Sequence, residues 1–243
     1  MTEPTFEQTP VGTATMSSGL HGAQNYHRWT FSWIDHDVAG RVLDVGGGTG
    51  NHMQYLTDRE VVSIDLSLDC VEALRERHAA QRRWRFEVGD ITSEETVTVL
   101  GPASFDTVLS CNVFEHIGDD ERAFRQAAEL LRPGGKLVLV LPAHARLYGD
   151  MDRLAGHYRR YDRAMVRARL EAAGLRELRL RYVNAVGAIG WFVNSRFARH
   201  QDLSSGSING QIGLFDRLVP LLKKLEGDRG LPFGQSLICV AQR

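Results

Sequence analysis

The sequence predicts an α/β protein in which a mostly parallel sheet carries helices on both faces. Short β-branched runs alternate with segments of helical periodicity, as they do when a helix returns the chain to begin each parallel strand. The first run, Arg41–Val45, leads straight into a turn with glycine at every second position, Gly46, Gly48 and Gly50. Three acids, Asp44, Asp65 and Asp90, stand at or just beyond the ends of the first three runs.

Strands are predicted at Arg41–Val45, Val61–Asp65, Trp84–Val88, Phe105–Ser110, Lys136–Leu141, Arg176–Val183 and Ser236–Ala241. Helices are predicted near Gly50–Thr57, Leu68–Gln81, Asp119–Leu131 and Arg163–Ala173. Asp119 or Asp120 supplies an N-cap for the third helix. Arg132-Pro133-Gly134-Gly135 stops that helix and turns the chain into the fifth strand, and Gly174 closes the fourth helix. An aromatic segment, Tyr26–Asp37, reads as a helix that passes over the mouth of the glycine turn.

Residues 1–20, rich in Thr, Ser, Pro and Gly, are expected to be mobile, and residues 21–243 to form one domain. Residues 184–235 are too long for a hairpin between the last two strands. They hold a small apolar run, Val186–Val193, and a stretch that places Leu214, Leu218, Leu221, Leu222 and Leu225 on one helical face. This insertion is either a packing helix on the sheet flank, or a substrate lid or homodimer surface.

Twenty-nine basic residues against 30 acidic ones give a net charge of −1, and no basic run tracks a phosphate backbone. Nucleic acid and anionic membrane are therefore not expected as partners. Cys70, Cys111 and Cys239 lie far apart, without metal or disulfide spacing. No leader pattern or 18-residue apolar run is present, so the expectation is a soluble, reduced, cytoplasmic protein.

Glycine admits positive φ and lets a ligand approach the backbone closely. The turn is expected to open a helix whose first N–H groups face that ligand. A dinucleotide fingerprint needs G-x-G-x-x-G, but counting from Gly46 puts Asn51 on the third glycine, and counting from Gly48 puts Met53 there. An NAD dehydrogenase is thereby disfavoured. Asp44 points the same way, since a carboxylate repels pyrophosphate but suits a ligand bearing an ammonium and a sulfonium. Asp65 is placed to accept both ribose hydroxyls and Asp90 to accept from an adenine amine, in the crevice at the carboxyl ends of the strands. Each acid alone reads as a cap or a solvated loop residue; the ordered set reads as a nucleoside edge.

The pattern Asp44-x-Gly46-x-Gly48-x-Gly50 resembles motif I of class I S-adenosylmethionine-dependent methyltransferases. Phe105-Asp106-Thr107-Val108, continuing to Phe114-Glu115-His116-Ile117, is similar to the segment of that family around its fourth strand. The resemblance implies a Rossmann-like seven-stranded sheet, the last strand antiparallel, with a helical insertion before it and S-adenosylmethionine as cofactor. It implies that the backbone around Cys111 faces the methionyl part, and that Glu115 and His116 lie near the transferred methyl. The cofactor-binding residues so expected are Tyr26, Asp44, Gly46, Gly48, Gly50, Asp65, Leu66, Asp90, Ile91, Cys111, Asn112 and His116. Quinone-pathway O-methyltransferases carry an extra carboxylate about where Asn112 stands. Without it, and without a spaced Asp/Glu/His set, no metal is expected and turnover is expected to survive chelation.

Leu141-Pro142-Ala143-His144, Leu147-Tyr148-Gly149 and Gly156-His157-Tyr158-Arg159-Arg160-Tyr161 resemble a bacterial branch of small-molecule methyltransferases. The loop from Pro142 to Asp162 thus concentrates imidazole, phenol and guanidinium groups at the active edge. The catalytic candidates are His116, His144, His157 and Tyr161: His157 and Tyr161 as walls of the acceptor pocket, His116 or His144 as base. His21 and Tyr26 are expected to help close that pocket. His116 reads equally as a residue tying its loop to a backbone carbonyl. The paired arginines read either as acceptor ligands or as staples to Asp150 or Asp152. The function so expected is methyl transfer to O or N of a small molecule of specialised metabolism. Two other uses of the same pocket are catalysis by the sulfonium without methyl transfer, and a non-enzymatic, cofactor-dependent partner docking through residues 184–235.

Overall fold

All seven predicted strands form, as β1 (Arg41–Val45), β2 (Glu60–Asp65), β3 (Trp84–Val88), β4 (Phe105–Cys111), β5 (Leu131–Pro142), β6 (Arg176–Val183) and β7 (Ser236–Gln242). The computed structural model describes residues 23–188, 206–227 and 232–243. The strands pair in the order β3-β2-β1-β4-β5-β7-β6. β1 to β5 run parallel, and β7 lies antiparallel to both β5 and β6. This is the expected sheet, antiparallel last strand included. The expected mobility of residues 1–20, and His21 with them, falls outside the described residues.

Successive side chains of a strand point to opposite faces, and both faces here are buried. Leu43 and Val45 of β1 and Val62 and Ile64 of β2 pack on one side, and Val42 and Val61 on the other. The first side is covered by α3 (Glu94–Leu100), α4 (Asp120–Leu130) and α6 (Arg163–Ala172). On the other side, α1 (Gln24–Ser32) contributes Phe31 and α2 (Leu68–Arg77) contributes Val71 and Leu74. Burial on both faces is why the central strands read as near-continuous apolar runs.

The helix expected at Gly50–Thr57 does not form; a single 3₁₀ turn, Met53–Tyr55, follows the glycines. Gly50 is left-handed at φ 78°, and Gly50, Met53, Tyr55 and Leu56 each donate three residues back. That tighter winding puts Met53 and Leu56 together in the core. The helix α3, not predicted, arises from Glu94-Glu95-Thr96-Val97-Thr98-Val99-Leu100, whose β-branched residues read as extended chain. Burial of Val97 and Leu100, three residues apart, overrides that preference. Asp119, not Asp120, caps α4, its side chain accepting from Arg122 N.

The insertion before β7 contains a helix, α7 (Gly206–Glu226). On its packing face Asp216, Val219 and Glu226 are buried, whereas Leu218 and Leu221 of the leucine stripe are exposed. Acidic side chains set this orientation. α1 has no side-chain N-cap of its own, and Asp216 Oδ1 accepts from Tyr26 N at 2.8 Å, with Asn25 Nδ2 donating to Asp216 Oδ2 at 3.2 Å. Glu226 accepts from Asn184 N at 2.8 Å and Ala185 N at 3.0 Å, where the chain again turns helical. Each carboxylate satisfies N–H groups that a helix start leaves open, and complements its positive end. The apolar run Val186–Val193 lies outside the described residues beyond position 188. No helix among the described residues is long and apolar enough to cross a membrane.

Candidate active site

Gly46, Gly48 and Gly50 all have positive φ, 76°, 50° and 78°. A Cβ on Gly46 would sit 2.4 Å from a Val113 methyl, and one on Gly47 would sit 2.2 Å from Ser63 Oγ. Gly48 differs: a Cβ there would meet nothing nearer than 3.9 Å. Gly46 is thus required by packing, while Gly48 turns its bare face to open space. Gly46→Ala should lower the melting temperature by several degrees, through overlap plus left-handed strain of about 1–3 kcal/mol. Gly48→Ala should cost less stability and mainly ligand affinity. Thermal melts and calorimetry on the two variants check this; equal stability losses would refute the distinction.

Asp44 is buried, and its Oδ2 accepts from Ser63 Oγ at 2.8 Å. Burial pushes its carboxyl up to about 6, the Ser63 bond opposing and Asp65 adding to the shift. Asp65 braces the turn itself: Oδ2 accepts from Gly48 N at 2.8 Å and Oδ1 from Ser67 N at 2.9 Å. Asp90 Oδ1 accepts from Thr92 N and Thr92 Oγ1, both at 2.7 Å. Leu66, beside Asp65, is 66% exposed, whereas Ile91 is buried. α1 packs on the chain just past the turn, with Phe31 stacked 4.8 Å from the Tyr55 ring and Gln24 Oε1 accepting from Gln54 Nε2. Tyr26 is half-buried; burial pushes its phenol up against the opposing hydrogen bonds of Ser236 and Thr30.

At the end of β4, Asn112 adopts φ 55°, a left-handed conformation that asparagine tolerates better than most residues. Burial drives the Cys111 thiol well above its usual range, with Asp44 and Glu115 adding to it; this is an inert cysteine. Glu115 is fully buried, and burial raises its carboxyl to about 7. His116 lies with its ring centroid 4.6 Å from that of His157, edge to face, and burial pulls it down to about 4. A hydrogen bond to the Gly156 backbone opposes that shift.

The loop after β5 runs back along this turn, Tyr158 N donating to Glu115 O at 2.8 Å. Asp152, in the short helix α5 (Asp150–Leu154), is its hub. Asp152 Oδ1 accepts from Arg160 Nε at 2.8 Å and lies 2.9 Å from His157 Nδ1, and Oδ2 accepts from Gly149 N at 3.0 Å. Arg159 points the opposite way, donating to the carbonyls of Ile117 and Gly118. The paired arginines are staples.

Tyr161 does not face the crevice. It is fully buried on the α4 and α6 side, its hydroxyl shared between Phe114 O and Asp120 Oδ2, each at 3.0 Å. His157, too, is held inside the loop, 8% exposed. His144 stands apart, at φ 63°, its ring stacked 4.4 Å from that of Tyr182 and its Nε2 accepting from Gly234 N at 3.3 Å. It borders a cleft of about 520 Å³ together with Arg146, Leu147, Asp162, Ala188 and Phe233.

The structure thus gathers Asp44, Gly46, Gly48, Gly50 and Asp65 around the turn after β1, with Asp44 and Glu115 each near enough to Cys111 to perturb its thiol. Sequence reasoning missed Ser63 and Asp152. Ser63 carried a signal, being the lone polar residue between Val62 and Ile64 in a strand buried on both faces. Asp152 read only as one of two acids able to pair with an arginine.

Residues 43–137 match the family described as methyltransferase domain. Among curated proteins, a ubiquinone biosynthesis O-methyltransferase of Xanthomonas euvesicatoria is 36% identical over 106 residues, 42% of this chain and 44% of that protein. The chain spans less than half the length of the curated relatives it matches. Among solved structures, a methyltransferase in complex with the Trm112 methyltransferase activator of Haloferax volcanii superposes with a TM-score of 0.66 at 17% identity, over 97% of this chain and 98% of that one. The [4+2]-cyclase SpnF superposes with a TM-score of 0.62 at 19% identity, over 96% and 93% of the two chains. Residues 43–137 therefore match the methyltransferase domain family, and the chain as a whole has the fold of class I methyltransferases.

Proposed function

We propose that this protein transfers a methyl group from S-adenosylmethionine to an oxygen or nitrogen of a small-molecule acceptor in specialised metabolism. The observation that carries this reading is the turn after β1, where Gly48 offers a bare backbone braced by Asp65 beside a buried Asp44. These residues fit the cofactor. Each Asp65 oxygen accepts one backbone N–H and keeps a lone pair for a ribose hydroxyl. Among the described residues Asp90 Oδ2 receives no hydrogen bond, which leaves it for the adenine amine. Leu66 and Val88, both exposed at the strand ends, offer apolar surface to the ring. Asp44, raised to about 6 by burial, is an acid lacking a cationic partner.

When bound, the cofactor supplies a methyl carbon already activated by its sulfonium. The chain must align the acceptor, exclude water and take a proton if the acceptor holds one. α1 packs beside the turn through Phe31 on Tyr55 and Gln24 on Gln54. His116 and His144, both pushed toward the neutral form by burial, can take a proton. The cleft beside His144 has the size and largely apolar lining of a small-molecule site. Tyr161 serves as an anchor of the loop. The similarity of fold to a [4+2]-cyclase supports one second reading, in which the same architecture promotes a reaction without methyl transfer. Incubation with S-adenosylmethionine and a panel of phenols and amines tests the choice: S-adenosylhomocysteine should accumulate with an acceptor. Binding of the cofactor without that product from any acceptor would favour the second reading.

Asp44 also makes cofactor affinity pH-dependent. A ligand ammonium prefers the ionised carboxylate, so protonation competes with binding. S-adenosylhomocysteine affinity should rise as pH increases through about 6, where the buried carboxyl titrates. The free protein has the opposite trend: a carboxyl raised from 3.8 to about 6 binds more protons in the native state, so its contribution to stability falls as pH rises across that interval. Asp44→Asn should flatten both profiles. Calorimetry and thermal melts between pH 5 and 8 read them.

A further inference from the structure

We propose that Glu115, His116 and His157 form a binding site for one divalent transition-metal ion, with Asp152 orienting the His157 ring. One ligand atom from each of the three lies within 4.8 Å of the other two. Glu115 and His116 come from the turn after β4, and His157 from the loop after β5. A backbone bond from Tyr158 N to Glu115 O, and bonds from the Arg159 guanidinium to the Ile117 and Gly118 carbonyls, hold the two segments together.

Asp152 Oδ1 lies 2.9 Å from His157 Nδ1 and accepts from Arg160 Nε at 2.8 Å. That oxygen therefore also accepts from His157 Nδ1, which must carry the hydrogen. In the neutral ring this leaves Nε2 as a lone pair, and Nε2 faces Glu115 Oε1 at 4.0 Å. Both Glu115 oxygens and His157 Nε2 are buried, and none has a hydrogen-bond partner among the described residues. Two acceptors opposed at a distance too long for a hydrogen bond are costly when dry. A cation between them relieves this, since ligands bound at about 2.0–2.2 Å stand on the order of 3–4 Å apart. His116, its ring centroid 4.6 Å from that of His157, brings a second imidazole to the same point. The carboxylate–imidazole pair of Asp152 and His157 is the arrangement that fixes the tautomer of metal-bound histidines.

Two imidazoles and one carboxylate suit zinc and its first-row neighbours better than magnesium or calcium, which prefer oxygen. Three protein ligands leave at least one position for water or a substrate oxygen. This reverses the expectation of a metal-free protein drawn from sequence spacing, because His157 lies in a distant loop. The inference does not rest on methyl transfer: a chain that bound no S-adenosylhomocysteine would still be open to the same test.

The test uses the full chain, stripped with chelator and titrated with zinc by calorimetry and with cobalt by visible absorption. One ion per chain is expected, with a rise in melting temperature and no comparable response to magnesium. Glu115→Gln and His157→Ala should abolish saturable binding. Asp152→Asn should weaken it by about 10–100-fold, while His36→Ala, outside the cluster, should leave it unchanged. If those variants fail to fold, the cobalt spectrum of the wild-type chain decides. No saturable zinc or cobalt binding would mean that Glu115 and His157 share a proton instead, and would overturn the proposal. Binding that survives His157→Ala, or magnesium bound as tightly as zinc, would overturn it equally.

Discussion

Asp152→Ala should destabilise the fold by about 3–5 kcal/mol, the cost of removing one partner from a buried ion pair. Asp152 is fully buried and Arg160 is 2% exposed, so water cannot replace the lost carboxylate. The loss extends beyond the arginine, because Asp152 also holds the Gly149 N–H and the His157 ring. Urea unfolding of the purified variant measures it. Asp152→Asn preserves the shape and one acceptor, and should recover part of the loss. A cost below about 1 kcal/mol for the alanine variant, the range of an exposed pair, would show that the loop does not depend on this hub.

The second large effect is on cofactor binding. Asp65→Ala should weaken S-adenosylhomocysteine by about 1–3 kcal/mol, the loss of charge-assisted hydrogen bonds to the ribose. The substitution also removes the acceptor for Gly48 N. The turn therefore loosens together with the ribose contact, which places the effect toward the upper end of that range. Calorimetry should show tight binding to the wild-type chain, weak binding to the variant and no binding of NAD to either. NAD binding without S-adenosylhomocysteine binding would remove the reading altogether.

What the sequence disclosed follows the range of the forces concerned. Strand positions were legible because burial on both faces writes continuous apolar runs, and the glycine turn was legible because positive φ and close packing exclude side chains at fixed spacing. The helix expected after Gly50 was misread because nothing in Asn51-His52-Met53 shows that Met53 must reach the core three residues after a left-handed glycine. α3 was missed for the converse reason: Val97 and Val99 favour a strand, and only the place of Val97 and Leu100 over the sheet makes a helix the better solution.

Side-chain partnership was the least legible part of the site. His157 and Tyr161 are a polar pair in a functional-looking loop, yet one bonds Asp152 and the other Asp120, from different elements. No local pattern encodes which way adjacent residues turn. The same holds for Arg159 and Arg160, of which one bonds the Ile117 and Gly118 carbonyls and the other Asp152.

The carboxylates of α7 have a consequence for how this protein can change. Asp216 grips the amino end of α1, and Glu226 grips the chain where it leaves β6. The insertion is thereby tied at both ends of α7 to the body of the sheet domain. Exchange of the insertion for a foreign one would take both grips with it, and α1 would lose the carboxylate that caps its amino end. Retaining acids at these two positions is the condition under which the insertion can be re-engineered as a separable module.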